Sequence, residues 1–260
     1  MGEMIYKPLI DKMTWSYSRA KSFDDCKYKW YLKYIQHIHG DSGFFATYGT
    51  FIHKIIDLHY KEGLTPKQMQ SMYLKGFRDE VTGEAPNDKI FMSYFSGGLN
   101  YLKGFEPFPF DLVETEMGVR FSIDDIPIVG YIDFLGKDGD DFVVIDNKSR
   151  ALKPRSFRAK PTKMDEELDS YLRQLYLYSA AVEEKYGKLP TKLCFNCFRT
   201  QTFIEESFDK GAYEDARQWF SAKVAEIAGE SEWKPNVEEF KCTNLCECNH
   251  ACEYYDLIKR

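Results

Sequence analysis

Long apolar runs are missing from this sequence, and no window approaches the roughly eighteen uninterrupted apolar residues of a membrane-spanning helix. The first ten residues, MGEMIYKPLI, also lack the basic-then-apolar pattern of a secretory signal. These absences argue against a membrane protein and a secreted protein. We therefore expect a soluble, cytoplasmic protein without a membrane partner.

Basic residues are too few for a protein that coats nucleic acid by bulk attraction. There are 35 Lys and Arg against 41 Asp and Glu, a formal net charge of −6, whereas such domains usually carry a basic excess. Any site for a polyanion must therefore be local. The sequence also has no internal repeat and no G-x-x-x-x-G-K-[ST] loop, so ATP-driven unwinding would have to come from a helicase or recombination partner.

Aromatic residues make up 16% of the chain and hydrophobic residues 43%, which is too much for a disordered protein. A length of 260 residues is compatible with one large α/β domain. We expect a single domain over 1–260, with a helical part at 1–105, a catalytic core at 106–230 and a cysteine-rich tail at 231–260.

Hydrophobic periodicity and turn signals predict a helical first part followed by strands and further helices. The predicted helices cover 16–37, 48–60, 65–78, 88–102, 165–186 and 212–228. The predicted strands cover 113–121, 128–135, 142–147 and 191–198. This order, αβββαβ after a helical preface, indicates an α/β (α+β) protein with a mixed sheet flanked by helices.

The turn KDGDD between the second and third strands sets the geometry of two acidic residues. If Gly139 and Asp140 form the hairpin loop, Asp133 lies directly across from Asp146. With the loop one residue earlier, Asp146 becomes a diagonal neighbour on the same face. Lys148 follows Asp146 by two residues and shares its face. In either register, two carboxylates and an ammonium converge on one patch.

The strands that carry this patch are apolar, so its carboxylates should be half-buried, where unpaired charges are costly. Paired carboxylates suit Mg²⁺ or Mn²⁺, which can take substrate phosphates as further ligands. The alternative from geometry alone is a plain Asp–Lys ion pair on a solvated strand face. Both interpretations stay open at this point.

Several motifs together resemble one known family. Gly130–Ser149, GYIDFLGKDGDDFVVIDNKS, resembles the G-x-x-D and (D/E)-x-K pattern of the PD-(D/E)XK nuclease superfamily, in its RecB-like branch. Gly49–His53 is similar to the branch's G-x-x-x-H helix, and Gln174–Tyr178 to its Q-x-x-x-Y helix. Ser16–Tyr34 resembles the opening of the Fe–S-bearing members, which include the CRISPR-associated exonuclease and AddB-type nucleases.

The resemblance implies a restriction-endonuclease-like fold and a metal-dependent DNA nuclease, expected to be an exonuclease in DNA processing, repair or recombination. The implied catalytic residues are Asp133, Asp146, Lys148, Gln174 and Tyr178. The implied ligands of Mg²⁺ or Mn²⁺ are His53, Asp133, Asp146 and the carbonyl of Asn147. An alternative is a non-catalytic DNA-binding or interaction module of the same fold.

The connection from Lys148 to Lys163 carries seven basic residues and no acidic one. It begins at the predicted active-site strand, so it could guide a DNA backbone through salt-dependent, sequence-independent contacts. A solvated, mobile loop is the alternative. The candidate DNA-binding residues are Arg150, Lys153, Arg155, Arg158, Lys160 and Lys163. Three aromatic residues before the His53 motif could stack on bases, namely Phe44, Phe45 and Tyr48.

Four of the seven cysteines lie within eleven residues near the C-terminus, at 242, 246, 248 and 252, which indicates metal ligation rather than disulfides. A four-cysteine zinc site in this tail and a [4Fe–4S] cluster are both compatible with the thiols. The resemblance implies the cluster, with Cys26 as one ligand. It implies a trio of Cys242, Cys246 and Cys252, with Cys248 as a possible substitute. Cys194 and Cys197 fall in a predicted strand and are expected to pack in the core.

Overall fold

The structure is a computed structural model that describes residues 6–259. Its α-helices are α1 (Lys7–Ile10), α2 (Tyr17–Asp25), α3 (Lys27–Tyr34), α4 (Phe44–Glu62), α5 (Pro66–Glu80), α6 (Asp88–Lys103), α7 (Lys163–Tyr186), α8 (Lys210–Ala228) and α9 (Glu239–Asn244). Short 3₁₀ helices cover Phe198–Thr200, Asn249–Ala251 and Tyr255–Lys259. The strands are β1 (Asp111–Ile123), β2 (Ile126–Asp138), β3 (Asp141–Asn147), β4 (Lys192–Cys197) and β5 (Thr202–Ser207). No helix within 6–259 is long and apolar enough to cross a bilayer.

The five strands form one mixed sheet in the order β1-β2-β3-β4-β5. β3 runs antiparallel to β2 and parallel to β4, and α7 makes the crossover between the two parallel strands. This confirms the predicted mixed sheet flanked by helices. No pattern predicted β5, because only Ile204 of this short strand is buried and the period of two is weak.

The hairpin between β2 and β3 has the first of the two predicted registers. Asp138 pairs with Asp141, and Gly139 adopts a φ of +61°, the left-handed conformation that a tight two-residue loop needs. The pairs run on along the strands, so the next one brings Asp133 opposite Asp146. The turn chemistry therefore positions the acidic pair.

Close contacts divide the described residues into two units. The larger unit comprises 44–119 and 131–216, and helices α4, α5 and α6 pack within it around an aromatic core. A Cβ at Gly98 of α6 would lie 2.8 Å from the Tyr48 hydroxyl and 2.9 Å from that of Tyr73. A glycine is needed there because the three helices approach closely.

The smaller unit comprises the described residues before 44, residues 120–130 and those from 217 onwards. Its N-terminal region was predicted as one helix over 16–37, which is wrong. Cys26 has extended backbone angles (φ −166°, ψ 113°) and separates α2 from α3, and its Sγ accepts the Lys29 N–H as an N-cap. The aromatic side chains of this region form a core, in which Trp30 stacks on Trp233 with ring centroids 5.4 Å apart.

Candidate active site

The predicted carboxylate and lysine patch forms in the larger unit, where the C-terminal end of β3 lies beside the middle of β2. Asp146 is 5% exposed, and its Oδ2 lies 2.7 Å from the Lys148 ammonium. Asp133 accepts the backbone N–H of Asn147 at 2.7 Å through its Oδ2. The structure thus brings four of the predicted site residues to one place, namely Asp133, Asp146, Asn147 and Lys148.

His53 reaches the same place from α4. Phe51, Ile52 and Ile55 are buried in the helical core, while His53 is partly exposed. Its Nε2 lies 2.9 Å from the carbonyl oxygen of Asn147, and its Nδ1 lies 3.4 Å from Oδ2 of Asp133. His53 therefore lies beside the acidic pair, and its role as a metal ligand stays a prediction.

Glu116 of β1 is a site residue that no motif indicated. Potential ligand atoms of His53, Glu116 and Asp133 all lie within 4.8 Å of one another. Glu116 has a φ of +47°, and the alternation of buried and exposed side chains in β1 is regular only beyond it. Glu114, two residues earlier, instead pairs with Lys185 at 2.7 Å on the surface. Spacing alone could not distinguish these glutamates, because the backbone irregularity redirects the chain at Glu116.

The electrostatics of this group favour a cation. Burial and the neighbouring Asp146 carboxylate raise the pKa of Asp133, and burial and Asp133 raise the pKa of Glu116. Burial lowers the pKa of His53, which favours the neutral imidazole that binds metals. Although burial opposes it, the Asp146 carboxylate keeps the pKa of Lys148 raised. The carboxylates thus gain from a positive charge brought between them.

One oxygen of the group is buried against a single positive charge. Oδ2 of Asp146 has no access to solvent and lies 2.7 Å from the Lys148 ammonium. A buried carboxylate needs such a compensating charge or hydrogen bonds. Lys148 supplies one positive charge to a group with three acidic side chains, so the residues present are a good fit to a divalent cation.

Two further polar side chains contact the end of β3 and the lysine that follows it. Gln174 of α7 accepts a hydrogen bond from the Lys148 ammonium at 3.3 Å. Asn196 of β4, which the sequence did not indicate, donates to the Asn147 side chain at 2.7 Å, and its carbonyl accepts the Lys148 N–H at 2.9 Å. Tyr178, one turn beyond Gln174, is buried in α7, and its role stays a prediction.

A cleft of about 580 Å³ opens onto this group. It is lined by Phe45, Ala46, Gly49, Thr50, His53, Lys54, Asp57, Glu116, Asn147, Lys148 and Ser149. Of the three aromatic residues predicted to stack on bases, Phe45 lines the cleft, whereas Phe44 and Tyr48 are buried in the helical core. The cleft is large enough to admit a phosphate and the sugar attached to it.

Comparison with known proteins agrees with this geometry. The sequence model of the PD-(D/E)XK nuclease superfamily matches residues 14–253. The chain belongs to this superfamily. No curated protein matches it significantly.

Two solved structures have related chains. A protein from Eubacterium rectale, provisionally described as an exonuclease, is 12% identical, covers 96% of this chain and 92% of its own, and superimposes with a TM-score of 0.55. At that identity the likeness shows the fold alone. The protein SSO0001 is 15% identical over 97% of each chain, but its TM-score of 0.31 carries no argument.

In this PD-(D/E)XK nuclease, the basic connection before α7 contains two kinds of cation. Arg150 forms an ion pair with Glu167, and Arg155 contacts Asp169 at 2.7 Å and Glu206 at 3.0 Å. Four cations of the connection form no ion pair with any residue among 6–259, namely Lys153, Arg158, Lys160 and Lys163. The second group is available to a polyanion without breaking an existing contact.

The smaller unit of the PD-(D/E)XK chain brings cysteines together from both ends of the sequence. Sγ of Cys26 accepts the Asn236 N–H at 3.4 Å, and Sγ of Cys242 contacts the Asn236 carbonyl at 3.9 Å. Burial, with a contribution from the nearby Cys26 and Cys242, raises the pKa of both Cys246 and Cys252. These four thiols therefore lie in the same region of the smaller unit.

The other three cysteines make different contacts. Cys248 is fully buried, its Sγ donates to the carbonyl of Ile38 at 3.5 Å, and burial and the nearby Cys246 raise the pKa of its thiol. Cys194 and Cys197 are buried in β4, where burial raises the pKa of both thiols. All seven cysteines are free of disulfides.

Proposed function

We propose that this PD-(D/E)XK nuclease hydrolyses phosphodiester bonds in DNA with Mg²⁺ or Mn²⁺, and that it acts as an exonuclease. The supporting observation is the convergence of His53, Glu116, Asp133, Asp146 and Lys148 at one end of an open cleft. Two buried carboxylates beside a lysine exceed what a structural ion pair requires. A non-catalytic module would have no use for three acidic side chains around one lysine beside an open cleft.

The donor set suits a hard divalent cation. His53, Asp133, Asp146 and the carbonyl of Asn147 would hold it, and most of these ligands are oxygens, as Mg²⁺ and Mn²⁺ prefer. When bound, such an ion would make a water nucleophilic and neutralise charge on the scissile phosphate. Glu116 is a further carboxylate within reach of the same position.

Lys148 supplies a fixed positive charge beside the reacting phosphate. Its ammonium is held between the Asp146 carboxylate and the Gln174 amide, so it can orient the attacking water and stabilise charge that develops in the transition state. Gln174 acts as a positioning residue for that ammonium. We assign Tyr178 the same supporting role on α7.

End-labelled DNA tests this function most directly. Linear single-stranded and double-stranded DNA should be degraded in Mg²⁺ or Mn²⁺, degradation should stop in EDTA, and excess metal should restore it. Covalently closed circles of the same sequence should resist, because an exonuclease needs an end. Absence of hydrolysis on every substrate would contradict the nuclease proposal. Cleavage of circular DNA as fast as linear DNA would indicate an endonuclease instead of an exonuclease.

The unpaired cations of the basic connection should supply affinity for DNA that does not depend on sequence. Replacing Lys153, Arg158 and Lys160 with Ala should weaken binding equally for unrelated sequences. The slope of log K against log salt should fall by about 0.7 per lost contact on single strands. The matched control is Arg155→Ala, whose guanidinium is held by Asp169 and Glu206, and a smaller change is expected. Equal salt slopes for the triple variant and the unaltered protein would show that the connection does not contact DNA.

Four neighbouring thiols of the smaller unit are the candidate ligands of a [4Fe–4S] cluster, namely those of Cys26, Cys242, Cys246 and Cys252. The same donors would also accept a structural Zn²⁺, so metal analysis decides between the two. The cluster would be structural, since it would join residue 26 to residue 252. A cytoplasmic location, a helicase or recombination partner and a single domain stay predictions from the sequence.

A further inference from the structure

Phe157 is the most exposed large apolar side chain that the structure describes. Its relative exposure is 108%, whereas the next highest, that of Tyr131, is 65%. Partly exposed apolar side chains are common on any protein. A fully exposed phenylalanine is uncommon. Its ring gains nothing from folding and remains in water at a cost in free energy.

The chain on both sides of Phe157 is held firmly. The carboxylate of Asp165, 2% exposed, accepts the N–H and hydroxyl of Ser156, each at 2.7 Å. It also accepts the N–H of Thr162 at 2.6 Å and its hydroxyl at 2.7 Å. Leu152 is buried earlier in the connection. Residues 157–161 therefore form a short crest closed by one carboxylate rather than a long mobile loop.

The charges around the crest are complementary to a polyanion. Arg158 and Lys160 lie within it and Lys153 and Lys163 on either side, and none of the four has an ion pair within the described residues. No acidic residue occurs between 148 and 163. An exposed ring among uncompensated cations is the combination that single-stranded nucleic acid binds, with phosphates on the cations and a base on the ring.

The position of the crest relative to the catalytic lysine follows from α7. Asp165, which holds the crest, lies nine residues before Gln174, which contacts Lys148. Nine residues of α-helix span about 14 Å, which equals about four stacked nucleotides at 3.4 Å each. The crest is therefore within a few nucleotides of a phosphate held at Lys148.

We propose that Phe157 stacks on a base of the nucleic acid strand, about four nucleotides from the phosphate bound at Lys148. This proposal rests on the proposed nuclease function and adds a specific contact to it. Arg158 and Lys160 bind the backbone beside the stacked base. Stacking does not depend on which base is present, so the contact holds the strand in the cleft without sequence preference.

Binding measured in EDTA separates this contact from catalysis. A fluorescein-labelled single-stranded DNA of mixed sequence is titrated with the full chain and followed by anisotropy. Phe157→Ala should weaken binding about fivefold or more, and Phe157→Trp and Phe157→Tyr should retain it. Phe157→Leu keeps an apolar side chain but lacks a π face, and it should behave like Phe157→Ala. Unlike loss of Arg158, loss of the ring should leave the salt slope unchanged.

A second readout locates the base. 2-Aminopurine is placed at successive positions of the strand, and the position whose fluorescence is quenched by the unaltered protein but not by Phe157→Leu marks the stacked base. Leu74→Ala, which alters an exposed side chain of α5, serves as the remote control. Binding by Phe157→Ala or Phe157→Leu equal to that of the unaltered protein overturns the stacking even if hydrolysis is observed. Absence of any binding by the unaltered protein in EDTA would overturn the stacking, whereas hydrolysis of end-labelled DNA in Mg²⁺ or Mn²⁺ tests the nuclease function separately.

Discussion

Asp146→Ala and Lys148→Ala are each expected to lower the rate of DNA hydrolysis by about a thousandfold or more. Asp146 is a buried carboxylate, and Lys148 is its ion-pair partner at 2.7 Å. In the proposed mechanism, loss of either removes a group that acts on the reacting phosphate rather than on the rest of the substrate. The rate with end-labelled linear DNA at saturating Mn²⁺ measures the effect.

Glu116 offers a graded comparison in the same assay. Glu116→Gln keeps the shape of the side chain but removes its charge, so we expect a higher metal concentration for half-maximal rate and a smaller loss of maximal rate than Asp146→Ala shows. Glu114→Gln is the matched control on the same strand, because Glu114 pairs with Lys185 on the surface. Undiminished hydrolysis by Asp146→Ala or Lys148→Ala at equal thermal stability would contradict the proposed active site. If Glu116→Gln and Glu114→Gln had the same metal dependence, Glu116 would be excluded from that site.

The acidic pair and its lysine were predictable because local rules place them. A KDGDD turn allows few hairpin registers, and in each of them Asp133, Asp146 and Lys148 share a face. His53 was predictable only from a motif, since it reaches the site from a separate helix. The break at Cys26 escaped prediction because the aromatic pattern runs through it, and only the thiol cap and extended backbone mark the end of α2.

Tertiary contacts supplied what the sequence pattern could not. Glu116 enters the site through a positive φ in β1, which no residue preference revealed. The connection before α7 reads as seven equivalent charges in the sequence, yet the structure pairs Arg150 and Arg155 with acids from α7 and β5. Those acids are remote in sequence, so the difference between paired and unpaired cations is visible only in three dimensions. It decides which of them we expect to contact DNA.

Cys26→Ser is expected to abolish iron binding and to lower the thermal midpoint of protein prepared without oxygen. The unaltered protein should be brown and contain about four irons per chain. Cys26 lies near Cys242, Cys246 and Cys252, so in the proposed cluster its loss removes the one ligand that comes from the N-terminal helices. The fall in stability follows because the cluster closes a loop of more than two hundred residues, and such a cross-link restricts the unfolded chain strongly.

The control for that substitution is Cys248→Ser, which alters a tail cysteine that the proposed cluster does not use and whose thiol donates to the carbonyl of Ile38. This variant should keep its iron. Because Cys248 is buried, the substitution can by itself lower the thermal midpoint. A zinc site on the four tail cysteines gives the opposite pattern, because Cys248→Ser would then lose metal and Cys26→Ser would not. Iron and zinc content, measured together on both variants, therefore separate the two sites. Stoichiometric iron in anaerobic Cys26→Ser would overturn the cluster that joins the two ends of the chain, since three thiols of one tail would then suffice to hold it.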